Sequence, residues 1–259
     1  MFCRSLELEP VDEQSLCRII CFPNPDSRCC YERLEELRLL GIEAVYSYGG
    51  VVLEQGVRVV GKGHAAVVVL ANHRDYGVVA LKVRRRDSKR VSMEWEAKML
   101  EKAAGTGCVP KLYSYSTNFL VREFVDGCTL EEILVSGKAE DVRRAVVSVI
   151  KAAFALDSVG VDVVEISRPL RQIVYLCCDP TKPFFIDLES AKTALNPLNV
   201  TKVVGFLISS AYTDNVVRGA LNLGEESLEK LVALAKEYKS ALDPVKKRAT
   251  VENILRLLS

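Results

Sequence analysis

The sequence feature that most constrains the fold is the segment from residue 61 to residue 83, GKGHAAVVVLANHRDYGVVALKV. It predicts a glycine-rich turn followed by a β-hairpin, because the β-branched runs at residues 67–70 and 78–83 flank the turn residues 72–77. Glycine backbone can approach a phosphate closely, and the N–H groups of such a turn form a concave anion site. Lys82 falls inside the second run. The segment therefore predicts a phosphate-binding turn close to a lysine.

Lys82 lies between two apolar residues, and burying a lysine is costly unless an anion meets it. The following helix offers a carboxylate. Glu96 lies four residues before Leu100, at the border of the apolar face, whereas Glu94 lies on the wet face with Lys98 at i+4. We therefore expect Glu96, not Glu94, to pair with Lys82. The alternative is that Lys82 points to solvent from a strand edge and that Glu96 is a surface charge.

The helix that carries these glutamates is predicted over residues 88–104, with its N-cap at residue 87 or 88. Val91, Trp95 and Met99 follow one another at helical spacing and are expected to form its buried stripe. The basic run VRRRDSKR at residues 83–90 precedes it. Such a run is typical of a solvated face, although beside a phosphate pocket it would suit an acidic or phosphorylated partner.

These motifs resemble the protein-kinase superfamily. GKGHAAVV resembles its glycine-rich loop and ALKV its third-strand lysine, and the later signals resemble small divergent archaeal serine/threonine kinases related to RIO-type kinases and to the small kinase of the KEOPS complex. The resemblance covers roughly residues 50–200. It implies an α+β, two-lobe kinase-like fold with ATP and Mg²⁺ between the lobes. The implied parts are a helical N-terminal extension over residues 1–44, a small antiparallel-sheet N-lobe over 45–126 and a reduced, mostly helical C-lobe over 127–259.

The resemblance also implies which residues meet the nucleotide. Lys82 and Glu96 take the place of the pair that holds the phosphates. Asp187, in FFIDLES, takes the place of the Mg²⁺-binding aspartate, and the alternative is a strand-end aspartate that caps the next turn. EFVDG resembles the hinge that holds adenine. The implied ATP contacts are Gly61, Lys62, Gly63, His64, Val68, Lys82, Glu123, Phe124 and Val125.

The segment at residues 161–171 departs most from the family pattern, which has H-G-D or H-R-D followed by an asparagine. Glu165 takes the place of the catalytic aspartate, and Gln172 that of the metal-binding asparagine after a two-residue insertion. Asp162 is a rival carboxylate for the role of base. Two interpretations stay open: an atypical kinase that transfers the γ-phosphate of ATP to a serine or threonine of an unidentified protein, and a pseudokinase that only binds nucleotide.

Composition points to no other class. The chain has 259 residues, 49% of them hydrophobic, and a net charge of +1, so no global charge favours nucleic acid or membrane. No apolar run approaches the roughly 18 residues of a membrane helix. We expect a cytoplasmic protein without a membrane partner. Nucleic-acid binding by a winged helix within the first 54 residues is the less favoured alternative to a helical cap on the nucleotide lobe.

Nine cysteines are many for an intracellular chain, and five of them lie in the first 30 residues. Their spacings lack the C-x-x-C pairs of zinc sites. Buried free thiols are the default expectation, and disulfides are the alternative for a hyperthermophile protein.

The remaining pattern predicts elements along the whole chain. A capping box is expected at Thr129 and Glu132, and a hairpin over residues 44–54 with Gly49 and Gly50 at its turn. The other predicted helices cover residues 11–21, 26–40, 138–158, 199–212, 225–242 and 245–258, and the other predicted strands cover residues 111–115, 118–125, 172–178 and 183–189.

Overall fold

The computed structural model describes residues 3, 7–53, 56–136, 138–167, 169–209 and 211–258. They divide into an N-terminal unit, with the described residues of 7–101 and 111–124, and a C-terminal unit, with residue 3 and the described residues of 102–110 and 125–258. Both units contain helices and antiparallel sheets, which confirms the predicted α+β class. None of the described helices combines the length and the apolar character needed to cross a bilayer.

The N-terminal unit is built on a seven-stranded antiparallel sheet of order β1-β2-β6-β7-β9-β8, in which β5 also pairs with the start of β6. A separate two-stranded ribbon is formed by β3 and β4. The elements of this part of the chain are β1 (Glu9–Pro10), α1 (Glu13–Ile20), α2 (Ser27–Leu39), β2 (Ile42–Ser47), β3 (Val51–Val52), β4 (Arg58–Val59), β5 (Gly61–Lys62), β6 (Ala66–His73), β7 (Gly77–Arg84), α3 (Glu94–Ala103), β8 (Leu112–Tyr115) and β9 (Phe119–Arg122).

The two N-terminal helices pack on this sheet as part of its core. Asp12 and Asp26 cap them, each accepting a backbone N–H at 2.8 Å. The predicted boundary between residues 44 and 45 falls within β2, which pairs with β6. The shared core contains Ile19, Ile20 and Leu37 from the helices with Val67, Val69, Leu81, Val83, Phe119 and Val121 from the sheet.

The predicted hairpin over residues 44–54 is wrong. β2 pairs with β1 and β6, and β3 pairs with β4. Gly49 has a φ of +122°, and a Cβ there would lie 2.1 Å from the carbonyl oxygen of Val59. The glycine is therefore needed where two backbones approach closely, not at a hairpin turn.

The predicted start of α3 is also wrong, because the helix begins at Glu94. Asp87 binds Arg85, and the Ser88 hydroxyl accepts the Arg90 N–H at 3.1 Å, so both candidate caps serve a turn instead. The later start changes the buried stripe. Val91 is 85% exposed and Trp95 44% exposed, and the buried positions are Met93, Glu96, Ala97, Met99, Leu100 and Ala103.

The C-terminal unit surrounds a long helix, α5, which packs against α6, α7 and α9. Its predicted apolar face is confirmed, since Val142, Val146, Val149, Ile150 and Ala153 are all buried. The elements are β10 (Gly127–Thr129), α4 (Leu130–Ser136), α5 (Ala139–Ser158), β11 (Val161–Asp162), β12 (Ile173–Leu176), β13 (Pro183–Phe185), β14 (Lys192–Thr193), α6 (Asn199–Ser209), α7 (Ala211–Leu221), α8 (Glu225–Ser240) and α9 (Pro244–Leu258).

Local signals in this unit agree with the structure at several points. The capping box is confirmed: the Glu132 carboxylate accepts the Thr129 N–H at 2.7 Å, and the Thr129 hydroxyl accepts the Glu132 N–H at 3.2 Å. The two predicted strands are present as β12 and β13, which pair antiparallel, and β10 adds a third strand on the other side of β12. Most of α7 has no counterpart among the predicted helices.

The default expectation of free thiols is wrong for eight of the nine cysteines. Disulfides join Cys3 to Cys177, Cys17 to Cys30, Cys21 to Cys29 and Cys128 to Cys178, with Cα atoms 4.7 to 6.1 Å apart. Cys108 is free and buried, and burial raises the pKa of its thiol to about 11.

Candidate functional site

The central feature of the N-terminal unit is a buried ion pair. The Lys82 ammonium donates to both carboxylate oxygens of Glu96, at 2.8 and 3.0 Å. Each residue is 4% exposed. Glu96 lies in the first turn of α3, where the helix dipole favours a negative charge. The predicted choice of Glu96 over Glu94 is confirmed, because Glu94 pairs with Lys98 at 2.8 Å on the exposed face.

Strand register explains how a lysine reaches this position. Lys82 lies opposite Val68 of β6 and Leu120 of β9, so the three side chains share one face of the sheet. Leu81 and Val83 point to the other face, which joins the core that includes the N-terminal helices. The apolar neighbours and the lysine therefore serve opposite faces of one strand.

The glycine turn leaves open space beside its backbone. Gly61 and Lys62 pair with Val68 and Val67, and the Gly63 N–H donates to the Ala66 carbonyl at 2.8 Å. A Cβ on Gly61 would meet nothing within 4 Å, and one on Gly63 would only touch the Ala66 oxygen at 3.6 Å. Neither glycine is therefore required by packing within the chain.

The other turn residues predicted to bind ATP lie at the surface. His64 is exposed, and the Lys62 ammonium sits 4.7 Å from the centre of the Phe22 ring, within cation–π range. Val68 is half-buried on the face that carries Lys82.

The predicted hinge follows β9, which ends at Arg122. The Glu123 N–H donates to the Lys111 carbonyl at 2.8 Å, and the Glu123 carbonyl accepts from Arg122 at 3.2 Å. Phe124 lies edge-on to Tyr48. The strand predicted over residues 118–125 therefore ends three residues earlier than expected, at Arg122. The N–H of Glu123, a residue expected to contact adenine, instead bonds to Lys111 within the N-terminal unit.

In the C-terminal unit, the structure brings two predicted site residues together. Glu165 is exposed on a 3₁₀ turn, and its carboxylate accepts a hydrogen bond from the Gln172 amide at 2.9 Å. The backbone carbonyl of Gln172 accepts the N–H of Ile186, the residue before Asp187, at 3.0 Å. The contact with Glu165 uses the side-chain nitrogen of Gln172 and not its side-chain oxygen, which is the candidate metal ligand.

Asp187 is half-buried, two residues beyond β13. Its carboxylate accepts the backbone N–H of Glu189 at 3.0 Å. This bond is the turn-capping contact of the alternative interpretation. Carboxylate and amide oxygens are also the ligand types that Mg²⁺ prefers, so the donor chemistry of Asp187 and Gln172 fits that ion.

Asp162, the rival candidate for the base, has a structural role. It is buried, and its carboxylate binds the Lys202 ammonium at 2.7 Å and the Leu198 N–H at 3.1 Å. Lys192 lies 3.8 Å away. Two lysines therefore compensate this charge, whereas Glu165 is exposed to solvent.

A buried network that the sequence analysis missed supports the segment before Glu165. Asn199 accepts the Val163 N–H at 2.8 Å and donates to the Val161 carbonyl at 2.6 Å. Asp157 accepts the Asn199 N–H at 2.9 Å and the Tyr238 hydroxyl at 2.7 Å. Burial raises the pKa of Asp157 despite these bonds. The sequence did contain a signal for this network: Asp157 lies four residues after Ala153, so it falls on the apolar face of α5, where a carboxylate needs buried hydrogen-bond partners.

Comparison with known proteins adds no assignment to this geometry. No protein-family model matches the chain, and a search of curated proteins finds no relative with a significant match.

Proposed function

We propose that the protein is an atypical ATP-dependent serine/threonine protein kinase, which transfers the γ-phosphate of Mg²⁺-ATP to a hydroxyl of an unidentified protein substrate in the cytoplasm. The observation that carries the proposal is the buried pair between Lys82, on the third strand counted from the glycine turn, and Glu96 of α3. Replacing a buried ion pair with apolar residues is often neutral or stabilising. Its presence inside an apolar sheet is therefore better explained by a ligand that needs the lysine.

The predicted catalytic and metal-binding residues each have a task in this reaction. Lys82, oriented by Glu96, neutralises nucleotide phosphate, and the open glycine turn admits phosphate to the backbone N–H groups. Asp187 and Gln172 hold Mg²⁺, which supplies charge neutralisation on the phosphates when bound. Glu165 orients the substrate hydroxyl and accepts its proton while the oxygen bonds to the γ-phosphorus and ADP leaves. This assignment rests on the resemblance and on the geometry within each unit.

Nucleotide binding is the first test. Mg²⁺-ATP at about 100 times its dissociation constant should add about 2.7 kcal/mol to the free energy of unfolding. A thermal melt should show this as a raised midpoint for the wild type and for Lys98→Met, a matched control on the exposed face of α3, but not for Lys82→Met. A wild-type midpoint unchanged by millimolar Mg²⁺-ATP would contradict the nucleotide site.

The glycine turn allows a second check on the same site. Gly61→Val introduces a side chain into space that is empty in the chain, at a position where strand geometry tolerates it. The fold should be retained while affinity for Mg²⁺-ATP, measured by calorimetry, falls. Unchanged affinity would mean that phosphate does not approach this backbone.

The catalytic base is tested by comparing two carboxylates. Glu165→Gln should lower phosphate transfer by a factor on the order of 10² or more with ATP binding nearly unchanged. Asp162→Asn should lower the stability of the C-terminal unit, since it breaks the pair with Lys202. Full activity in Glu165→Gln together with loss of activity in a folded Asp162→Asn would transfer the role to Asp162.

A nucleotide-binding scaffold without phosphate transfer is the second candidate function. Glu165 and Gln172 stand in place of the aspartate and asparagine of the family pattern. Their side chains bond to each other, which favours a site that does not transfer phosphate. Incubation with radiolabelled ATP separates the two, because a scaffold binds nucleotide without incorporating label. Salt-dependent retention on DNA or RNA would instead support the less favoured nucleic-acid role of the N-terminal helices.

A further inference from the structure

A polar cavity of about 380 Å³ lies within the N-terminal unit, and neither Lys82 nor Glu96 lines it. Four arginines line it: Arg28 and Arg33 from α2, Arg84 from the end of β7, and Arg86 from the basic run. Two acids, Asp26 and Glu32, also line it. We call this space the arginine cavity. Its lining carries more positive than negative charge.

The two acids pair with the two outer arginines. Glu32 binds Arg28 at 2.8 Å, and Asp26 binds Arg86 at 2.5 Å. Among the described residues, no carboxylate forms an ion pair with Arg33 or Arg84. The excess positive charge of the cavity therefore belongs to this inner pair.

The inner arginines converge on a neutral oxygen. The Asn118 amide oxygen accepts from Arg33 at 2.9 Å and from Arg84 at 2.7 and 3.1 Å. Glu36 fixes this orientation, because it accepts the Asn118 side-chain and backbone N–H groups at 2.7 and 2.8 Å. An amide oxygen is a weaker acceptor for guanidinium than an anion. The Asn118 oxygen thus holds both guanidinium groups in place without carrying a charge itself, and the Glu36 carboxylate compensates only part of the positive charge of Arg33.

Burial makes this arrangement costly for the chain. Arg33 is 4% exposed and also donates to backbone carbonyls of Ile20 and Arg84. Burial, and next the charge of Arg84, lower the pKa of Arg33 to about 10. Arg84 also donates to the Arg90 carbonyl at 3.1 Å. A guanidinium has five N–H donors, so each inner arginine still has N–H groups that none of these bonds uses. An anion in the cavity would accept hydrogen bonds from these N–H groups and offset the charge repulsion between Arg33 and Arg84.

We propose that the arginine cavity binds a phosphate group, either free inorganic phosphate or the phosphate of a small ester. The planar fork of guanidinium matches phosphate oxygens in a bidentate manner, which favours this anion over a halide. The volume lies in the range of small-molecule sites and exceeds what one ion needs. The site does not depend on the proposed kinase activity, since it uses neither Lys82 nor Glu96.

The test titrates the full-length protein with inorganic phosphate and with glycerol 3-phosphate, each at constant ionic strength set with KCl. Calorimetry should show saturable binding for the wild type. Arg84→Gln should raise the dissociation constant about tenfold or more, because a charge-assisted hydrogen bond is lost. Arg86 is already paired with Asp26, so Arg86→Gln should raise the dissociation constant less than Arg84→Gln does. Arg84→Lys, which keeps the charge but loses the fork, should weaken binding less than Arg84→Gln.

Two controls separate this site from others. Arg38→Gln removes an equivalent charge from the exposed face of α2, where Arg38 pairs with Glu35, and should bind as the wild type does. Lys82→Met should also retain binding. Tighter binding of the ester than of phosphate would identify an ester as the natural ligand, and the reverse would identify free phosphate. The proposal is overturned if neither probe binds, if Arg38→Gln weakens binding as much as Arg84→Gln, or if only Lys82→Met abolishes it.

Discussion

The Lys82–Glu96 pair can be tested without any ligand, through its effect on the stability of the N-terminal unit. Both side chains are almost completely buried, and their atoms lie 2.8 Å apart. Removing one side chain takes this hydrogen-bonded counter-ion away from a buried charge, which costs about 3–5 kcal/mol in similar pairs. Lys82→Met and Glu96→Gln should each lower the free energy of unfolding by this amount. The double variant should cost less than the sum by about 1–3 kcal/mol.

The chain provides its own reporter for this measurement. Trp95 is the single tryptophan and directly precedes Glu96 on α3, so its fluorescence follows the unfolding of the helix that carries the pair. Urea titrations without reductant keep the disulfides intact. Glu94→Gln is the matched control, because it removes the partner of Lys98 on the exposed face of the same helix and should leave the urea midpoint nearly unchanged.

Additive effects of Lys82→Met and Glu96→Gln would refute the reasoning. So would single variants as mild as Glu94→Gln. Either result would mean that the charges of Lys82 and Glu96 do not stabilise each other. The main support for the proposed nucleotide site would then be lost. Strong coupling would instead show that the pair forms without any ligand, as the proposed nucleotide site requires of Lys82.

Two further predictions concern the C-terminal unit and the cysteines. In unreduced protein, thiol reagents should modify about one cysteine per chain in denaturant and almost none under native conditions, because Cys108 is buried and its pKa is raised to about 11; more than one thiol in denaturant would contradict the four disulfides. Asp157 has a raised pKa in the folded state, so the native protein binds its proton more tightly than the unfolded chain, and stability should fall as pH rises from the ordinary value of 3.8 through the raised value. Asp157→Asn should remove this part of the pH dependence of the urea midpoint, and an unchanged slope would show that Asp157 does not titrate in this range.

The parts of the fold that the sequence predicts well are those set by local periodicity. The apolar face of α5 follows from spacing alone, and so does the choice of Glu96 over Glu94, because residues four apart on a helix share a face. The capping box at Thr129 and Glu132 is equally local. These features need no knowledge of the rest of the chain.

The errors arise where a distant segment decides the local structure. Gly49 looks like a turn residue, but its conformation is set by the carbonyl of Val59. Asp87 and Ser88 are good caps by type, and yet their side chains bind neighbouring groups in a turn instead of helical N–H groups. Cysteine pairing over 174 residues, as in Cys3–Cys177, leaves no local signal at all. Propensity is a weak prior that tertiary contacts override.

The basic run at residues 83–90 shows why charge patterning alone does not locate a site. The sequence predicts either a solvated face or a surface for an acidic or phosphorylated partner, but three consecutive arginines have three different partners within the chain. Arg84 binds Asn118, Arg85 binds Asp87, and Arg86 binds Asp26. Successive side chains of an extended segment point in opposite directions, so neighbouring charges separate in space. The arginine cavity forms where α2 brings Arg28 and Arg33 next to Arg84 and Arg86 of the run. A cluster assembled in this way is visible in the fold but not in the run.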